Sequence, residues 1–169
     1  MKIVFEKLTK NNYLELLRIK QLLFPESNSD EDYEGYFSGK VTSNYFKCDN
    51  ENCGIGGWYD FDGQHKDAFV GWFGILPQFR RRGIASQALK FIIEETKNLG
   101  YESLRVYTDE YVNKESIFLY DKFFDICEDY TFPDKIGKTK QFVVFSKFFT
   151  SKREKWNNKP LGEDENYTF

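Results

Sequence analysis

Three features of the sequence point to one α/β domain of the α+β type. A length of 169 residues is close to the roughly 150 of a typical domain. Hydrophobic residues make up 40% of the chain, and 18 Phe, 11 Tyr and 3 Trp supply enough aromatic bulk for a real core and argue against disorder. The apolar period also switches repeatedly between 2 and 3.6, giving about six to seven strands and about four helices.

Residues 2–7, KIVFEK, alternate like a strand. Thr9 is placed to cap a helix carrying Tyr13, Leu16, Leu17, Leu23 and Phe24 at helical spacing, which Pro25 ends. An acidic segment with Glu26, Asp30, Glu31, Asp32 and Glu34 follows, and YEGYFSG reads as a short second helix closed by Gly39. Strands near Asn44–Cys48, Gly54–Phe61 and Asp67–Ile75, joined by DNEN and DFDGQHK, form an antiparallel meander. Ala85, Ala88, Leu89, Ile92 and Ile93 share one face of a helix from about Gly83 to Asn98, with Gly100 as its stop. Ser103–Thr108 reads as a strand and Asn113–Phe123 as a helix. Two last strands lie near Asp125–Thr131 and Gln141–Phe148. The expected domain is 1–150, and the polar, aperiodic residues 151–169 form a C-terminal tail read as an appendage.

Charge and composition exclude several partners. Lys and Arg total 24 against 27 Asp and Glu, a net charge of −3, so the molecule as a whole attracts neither nucleic acid nor anionic lipid. No apolar run reaches the roughly 18 residues of a membrane span, and MKIVFEKLTKNN lacks a signal-peptide core, so a cytoplasmic protein is expected. On that expectation the glycosylation triplet at Asn166 is set aside. Cys48, Cys53 and Cys127 are an odd set, read as reduced thiols; with His65 they offer too few ligands for zinc, so no metal is expected.

The chemistry concentrates in GWFGILPQFRRRGIASQALKFIIEE, a strand, a basic glycine-containing loop and a long helix. Arg80, Arg81, Arg82, Gly83, Ile84 and Ala85 form the turn into that helix, where unpaired amides meet the positive end of the helix dipole. Gly83, Ala85 and Ser86 are small enough for a phosphate to reach backbone amides. Other phosphate motifs fail. Gly35–Lys40 is one residue short of a P-loop and is followed by Val41 instead of Ser or Thr, and Gly54–Tyr59 lacks the third glycine of a dinucleotide fingerprint.

Arg80-Arg81-Arg82-Gly83-Ile84-Ala85 resembles the acetyl-CoA signature of the GCN5-related N-acetyltransferases (GNAT), which runs Gln or Arg, two residues, Gly, one residue, Gly or Ala. Ile75-Leu76-Pro77 is similar to the Val-x-Pro that introduces the loop in this family, and NKESIFLYDK from Asn113 to Lys122 resembles its Asn-containing Leu-Tyr-Glu-Lys helix. The element order matches over residues 1 to about 149. The resemblance implies a mixed, mostly antiparallel central sheet and acetyl-CoA as co-substrate. It implies a pyrophosphate held by amides from Arg81 to Ser86 beside the Arg80 charge, and a pantetheine arm paired with the backbone of Phe73 and Ile75 as an added strand. An amide near Phe73 or Gly74 would stabilise the oxyanion. Asn113 would hold its helix start or touch the cofactor arm, with Ser116 one turn on, and Tyr120 would be the general acid.

Spacing supports Tyr120 independently, because Asn113, Ser116 or Ile117, and Tyr120 share one helix face. A phenol of pKa ~10 also suits protonation of a departing thiolate of pKa ~8.5. The amine acceptor must lose a proton before attack. Where the family often has Glu on the strand before the loop, this chain has Phe69, so Asp67, on the same strand face, is the candidate base, ahead of His65 in a turn. Phe123-Phe124-Asp125 replaces the family's Leu-Gly-Phe, and a bulky Phe124 is expected to leave the helix by another turn than a glycine cap. The expected activity is acetyl transfer from acetyl-CoA to a primary amine, small molecule or peptide, in a ternary complex of a monomer or homodimer. The resemblance would set the acidic segment beside the acceptor cleft, where it would favour a cationic acceptor; the other reading is that the acids decorate a helix N-terminus. The alternative is a non-catalytic acyl-CoA sensor or interaction domain.

Overall fold

The computed structural model describes residues 3–25, 33–61, 66–109, 114–133 and 139–157. The chain runs β1 (Ile3–Lys7), α1 (Tyr13–Leu23), α2 (Tyr33–Phe37), β2 (Val41–Cys48), β3 (Glu51–Asp60), β4 (Asp67–Ile75), α3 (Ile84–Asn98), β5 (Ser103–Asp109), α4 (Lys114–Phe123), β6 (Ile126–Pro133) and β7 (Thr139–Phe148). A 3-10 turn over Pro77–Phe79 joins β4 to the arginine loop. The seven strands form one sheet in the order β1-β2-β3-β4-β5-β7-β6. Every neighbouring pair is antiparallel except β4 with β5. A parallel pair needs a crossover, and α3 supplies it.

Alternation along the strands builds two cores. Trp58, Ala68, Val70, Val106, Val143 and Phe145 face α3 and α4, where they meet Ile84, Ala88, Leu89, Ile92 and Tyr120. On the opposite face Tyr45 and Ile55 pack against Tyr13, Leu16 and Ile19 of α1 and Tyr36 of α2. Further along that face Phe69 and Val144 pack against Trp156. Burial of these side chains at ~1.5–3 kcal/mol each is the main term holding helices to sheet.

Two local details differ from the sequence reading. Helix α1 starts at Tyr13 with Asn12 as its N-cap residue, because Thr9 is used in a turn, where its N–H donates to Asn12 Oδ1 at 2.7 Å. The described part of the tail, 151–157, lies on the sheet: Trp156 is 2% exposed, stacks edge-on against Phe61 and Phe69, and donates its backbone N–H to Glu128 Oε2 at 2.9 Å. The glycines of β3 also find their reason here. A Cβ at Gly57 would stand 1.8 Å from the Thr42 carbonyl oxygen, so this stretch lets neighbouring strands close in.

Candidate active site

Three pairs hold β4 to β5, Asp67 with Ser103, Ala68 with Leu104 and Phe69 with Arg105, and past them the strands part. From Val70 to Ile75, β4 keeps β3 on one side, with Gly71 opposite Gly57, Gly74 opposite Ile55 and Ile75 opposite Gly54. Over Val106–Asp109, β5 keeps β7. Each strand therefore turns one backbone edge toward a wedge between them, an open ladder able to accept an extended chain. Phe73, Gly74 and Ile75 lie on that edge. A bulge between Gly71 and Gly74, with Trp72 at φ +44°, re-aims the strand there. The tip of α1 closes one side, since a Cβ at Gly74 would meet Leu23 Cδ1 at 2.9 Å, and Phe24 lies 5.2 Å from the Trp72 ring.

The wedge opens toward the start of α3. Arg80 is extended and its Nε donates to the Ile75 carbonyl at 2.9 Å, tying the loop to the strand end. Arg81 (φ +60°) and Gly83 (φ +74°) are both left-handed, so the backbone alternates its hand as in an anion-binding nest. Glycine takes this conformation without the Cβ penalty. The first helical bond from this end is Gln87 N–H to Gly83 O, and among the described residues the N–H groups of Ile84, Ala85 and Ser86 have no protein acceptor. No side chain caps the helix and its first turn carries no acid. Arg81, Arg82 and Gly83 are exposed around these donors, Ala85 and Ser86 are half-buried, and Ile84 is anchored in the core. Three bare amides, the positive helix end and flanking guanidinium groups together offer what an anion would need.

Tyr120 stands over the root of the wedge. Its ring packs 5.8 Å from Phe145, whose β5 partner Val106 directly follows Arg105, the last residue paired to β4. Phe124 meets it edge-on at 5.9 Å. Burial pushes the Tyr120 phenol well above the ordinary tyrosine range, so it carries its proton at any physiological pH. Ser116 sits one turn earlier, half-buried on the same face of α4.

Phe124 leaves α4 without a left-handed residue, as its bulk predicted; its N–H bonds Tyr120 O at 2.9 Å and Asp125 N–H then bonds Ser146 O. The Asp125 carboxylate fixes this exit by accepting from Lys147 Nζ at 2.7 Å and the Phe148 N–H at 2.9 Å. Partial burial raises the Asp125 pKa, but these two hydrogen bonds outweigh it and hold the carboxyl below the usual aspartate range. A group with a depressed folded pKa stabilises fully above its unfolded pKa of ~3.9 and loses that contribution as pH falls through the folded value. Asp125→Asn is therefore expected to cost ~1–2 kcal/mol at pH 7 in urea titration, with the gap to the parent protein closing as pH falls through the depressed folded pKa.

Asp67 does not belong to this site. It lies at the closed end of the β4–β5 pair, six residues before Phe73, or ~20 Å along an extended strand. Its Oδ1 accepts from Arg105 Nε at 2.8 Å and from the Ser103 hydroxyl at 2.5 Å, with both ion-pair partners buried. The Arg105 guanidinium also donates to Ser146 Oγ and to the Glu154 carbonyl, and it faces the Trp156 ring at 5.3 Å. The carboxylate is thus the anchor of a cation that straps residues 151–157 to the sheet, and the general-base reading is corrected on that ground. The sequence signal was available: Arg105 is a charged residue inside the apolar strand SLRVYT and needs a buried acid. Asn113, His65 and the acidic positions Glu26, Asp30, Glu31 and Asp32 lie outside the described residues, as does the side chain of Glu34. Among the described residues no group of three or more His, Cys, Asp and Glu is placed to hold a metal ion, and no helix is long and apolar enough to cross a membrane.

Comparison with known proteins accords with this geometry. Solved structures share the fold. An N-acetyltransferase from Staphylococcus aureus Mu50 superposes with a TM-score of 0.69 at 20% identity, covering 89% of this chain and 100% of its own. An aminoglycoside 6'-acetyltransferase type Ii gives 0.71 at 16%, covering 89% and 99%. A GNAT family acetyltransferase from Elizabethkingia anophelis, solved with acetyl-CoA bound, gives 0.63 at 16%, covering 86% and 97%. A search of curated protein sequences finds no match. The family model of the acetyltransferase (GNAT) family matches residues 11–125, from the cap of α1 past the end of α4, and the chain belongs to that family.

Proposed function

We propose that this protein transfers the acetyl group of acetyl-CoA to an amine by direct attack in a ternary complex. The observation that carries the proposal is the set of unpaired N–H groups at Ile84, Ala85 and Ser86, beside exposed Arg81 and Arg82, at the mouth of the β4–β5 wedge. These amides receive the diphosphate, and the open edge at Phe73 and Ile75 receives the amide-bearing pantetheine arm as an added strand. The thioester then lies toward the root of the wedge, where a backbone N–H near Phe73 or Gly74 faces the developing oxyanion. Tyr120, protonated through burial, donates to the thiolate as it leaves. With Asp67 held by Arg105, the acceptor's proton leaves through water at the wedge.

Arg82 supplies charge without tying the backbone, its guanidinium resting 5.6 Å over the Phe79 ring, whereas Arg80 also holds Ile75. Arg82→Glu is expected to weaken coenzyme A binding about tenfold at low salt, an effect that shrinks as salt is raised. Equal affinity of variant and parent by calorimetry would reject a phosphate site at this loop. The reaction is tested by mixing protein, acetyl-CoA and a panel of polyamine, amino-sugar, lysyl-peptide and neutral amines and following free thiol. Release that depends on an amine supports transfer. Thermal stabilisation by coenzyme A without release over the whole panel would establish a sensor instead.

A further inference from the structure

Cys48 and Cys53, separated by four residues in the chain, end one strand and lie near the start of the next across the β2–β3 hairpin. The hairpin turns on Asp49 and Asn50, both left-handed at φ +50° and +69°, the pattern of a tight type I′ turn. In such a ladder two residues this far apart would ordinarily be diagonal neighbours. A register shift at Phe46–Lys47 makes Cys53 the extra residue of β3 and brings the thiols together. The Cys48 S–H points at Cys53 Sγ with the sulfurs 2.7 Å apart, and the Cys53 S–H donates to the Phe46 carbonyl at 3.0 Å. Both are buried against the α3 face of the sheet, while Cys127 is exposed on β6. No role in acetyl transfer falls to this pair, so the inference stands whether or not that reading does.

We propose that Cys48 and Cys53 are an oxidisable dithiol site that hydroperoxides convert to a reversible cross-strand disulfide within the folded protein. The peroxide O–O bond breaks as one sulfur is oxidised to a sulfenic acid and water or an alcohol leaves. The second thiol then attacks that sulfur, an S–S bond forms, and a second water departs with the remaining thiol proton. Cys48 is attacked first, because it borders the exposed turn, where opening of the last hairpin pair admits oxidant. Burial raises the Cys53 thiol well above the ordinary cysteine range, which disfavours its own oxidation by peroxide; as its sulfur attacks Cys48 it passes its proton to the departing hydroxide. The bridge has a structural address: the Cys53 carbonyl accepts the Leu76 N–H at 2.9 Å, at the end of β4 where the arginine loop begins.

The test uses the full chain treated with hydrogen peroxide, then unfolded, alkylated and digested with trypsin. No Lys or Arg lies between Cys48 and Lys66, so both cysteines leave in one peptide. The expected product is that peptide without alkyl groups and lighter by two hydrogens, reverting to a doubly alkylated form after dithiothreitol. It should form with unchanged circular dichroism, and the midpoint of thermal unfolding should rise by about 5 °C. Cys127→Ser should leave the product intact, while Cys48→Ser should abolish it. Double alkylation of the peptide under conditions that oxidise Cys127, or a bridge that forms only after the folded signal is lost, would overturn the proposal.

Discussion

Tyr120→Phe is expected to lower kcat for acetyl transfer by about 100-fold, the lower range for loss of a positioned general acid, while the affinity for acetyl-CoA stays within about twofold. The substitution removes one oxygen and keeps the ring that meets Phe124 and Phe145, so the core around it is preserved. The pH profile gives a second readout. With the phenol pushed above its ordinary range by burial, the parent enzyme should show no alkaline fall in kcat from this group up to about pH 10, since it stays protonated throughout. An unchanged turnover in the Phe variant at saturating substrates would remove Tyr120 from the acid role.

The second large effect is on stability. Asp67→Ala leaves the Arg105 cation buried at 1% exposure with its acid gone, a loss of about 3–5 kcal/mol when one member of a buried pair is removed. Against a total stability of ~5–15 kcal/mol this lowers the thermal midpoint by about 10 °C. The strap feels it as well, because Arg105 holds the Glu154 carbonyl and faces Trp156, so protection of amides near Trp156 should fall. Removing both charges in Asp67→Ala with Arg105→Met should recover part of the loss. A general base would behave otherwise: full stability with turnover gone. Preserved kcat in the folded Asp67→Ala protein, together with reduced stability, is the expected split.

Much of this fold could be read from residue patterns, for identifiable reasons. The faces of β4, α3 and β7 are dictated by alternation and by the 3.6 period of Ile84, Ala88, Leu89 and Ile92, and local rules of that kind survive tertiary packing. The turn into α3 was equally readable, since Gly83 directly precedes the helix. What pairwise spacing could not show was long-range. Asp67 and Arg105 are neighbours only because β4 and β5 pair in parallel across a helix, so the strand pattern of Asp67 alone could not distinguish a base from an anchor. The bulge at Trp72 left no mark in the period, and Trp156 looked like tail until Phe61 and Phe69 gave it a seat. The register shift that brings Cys48 to Cys53 is of the same kind.

A crystal structure with coenzyme A bound bears most directly on all of this. Diphosphate oxygens within hydrogen-bond reach, ~2.7–3.2 Å, of the N–H groups of Ile84, Ala85 and Ser86, with the pantetheine threaded between β4 and β5, is the expected result. A coenzyme seated on any other surface, with those three amides left to solvent, would contradict the assignment of the loop and the catalytic geometry built on it.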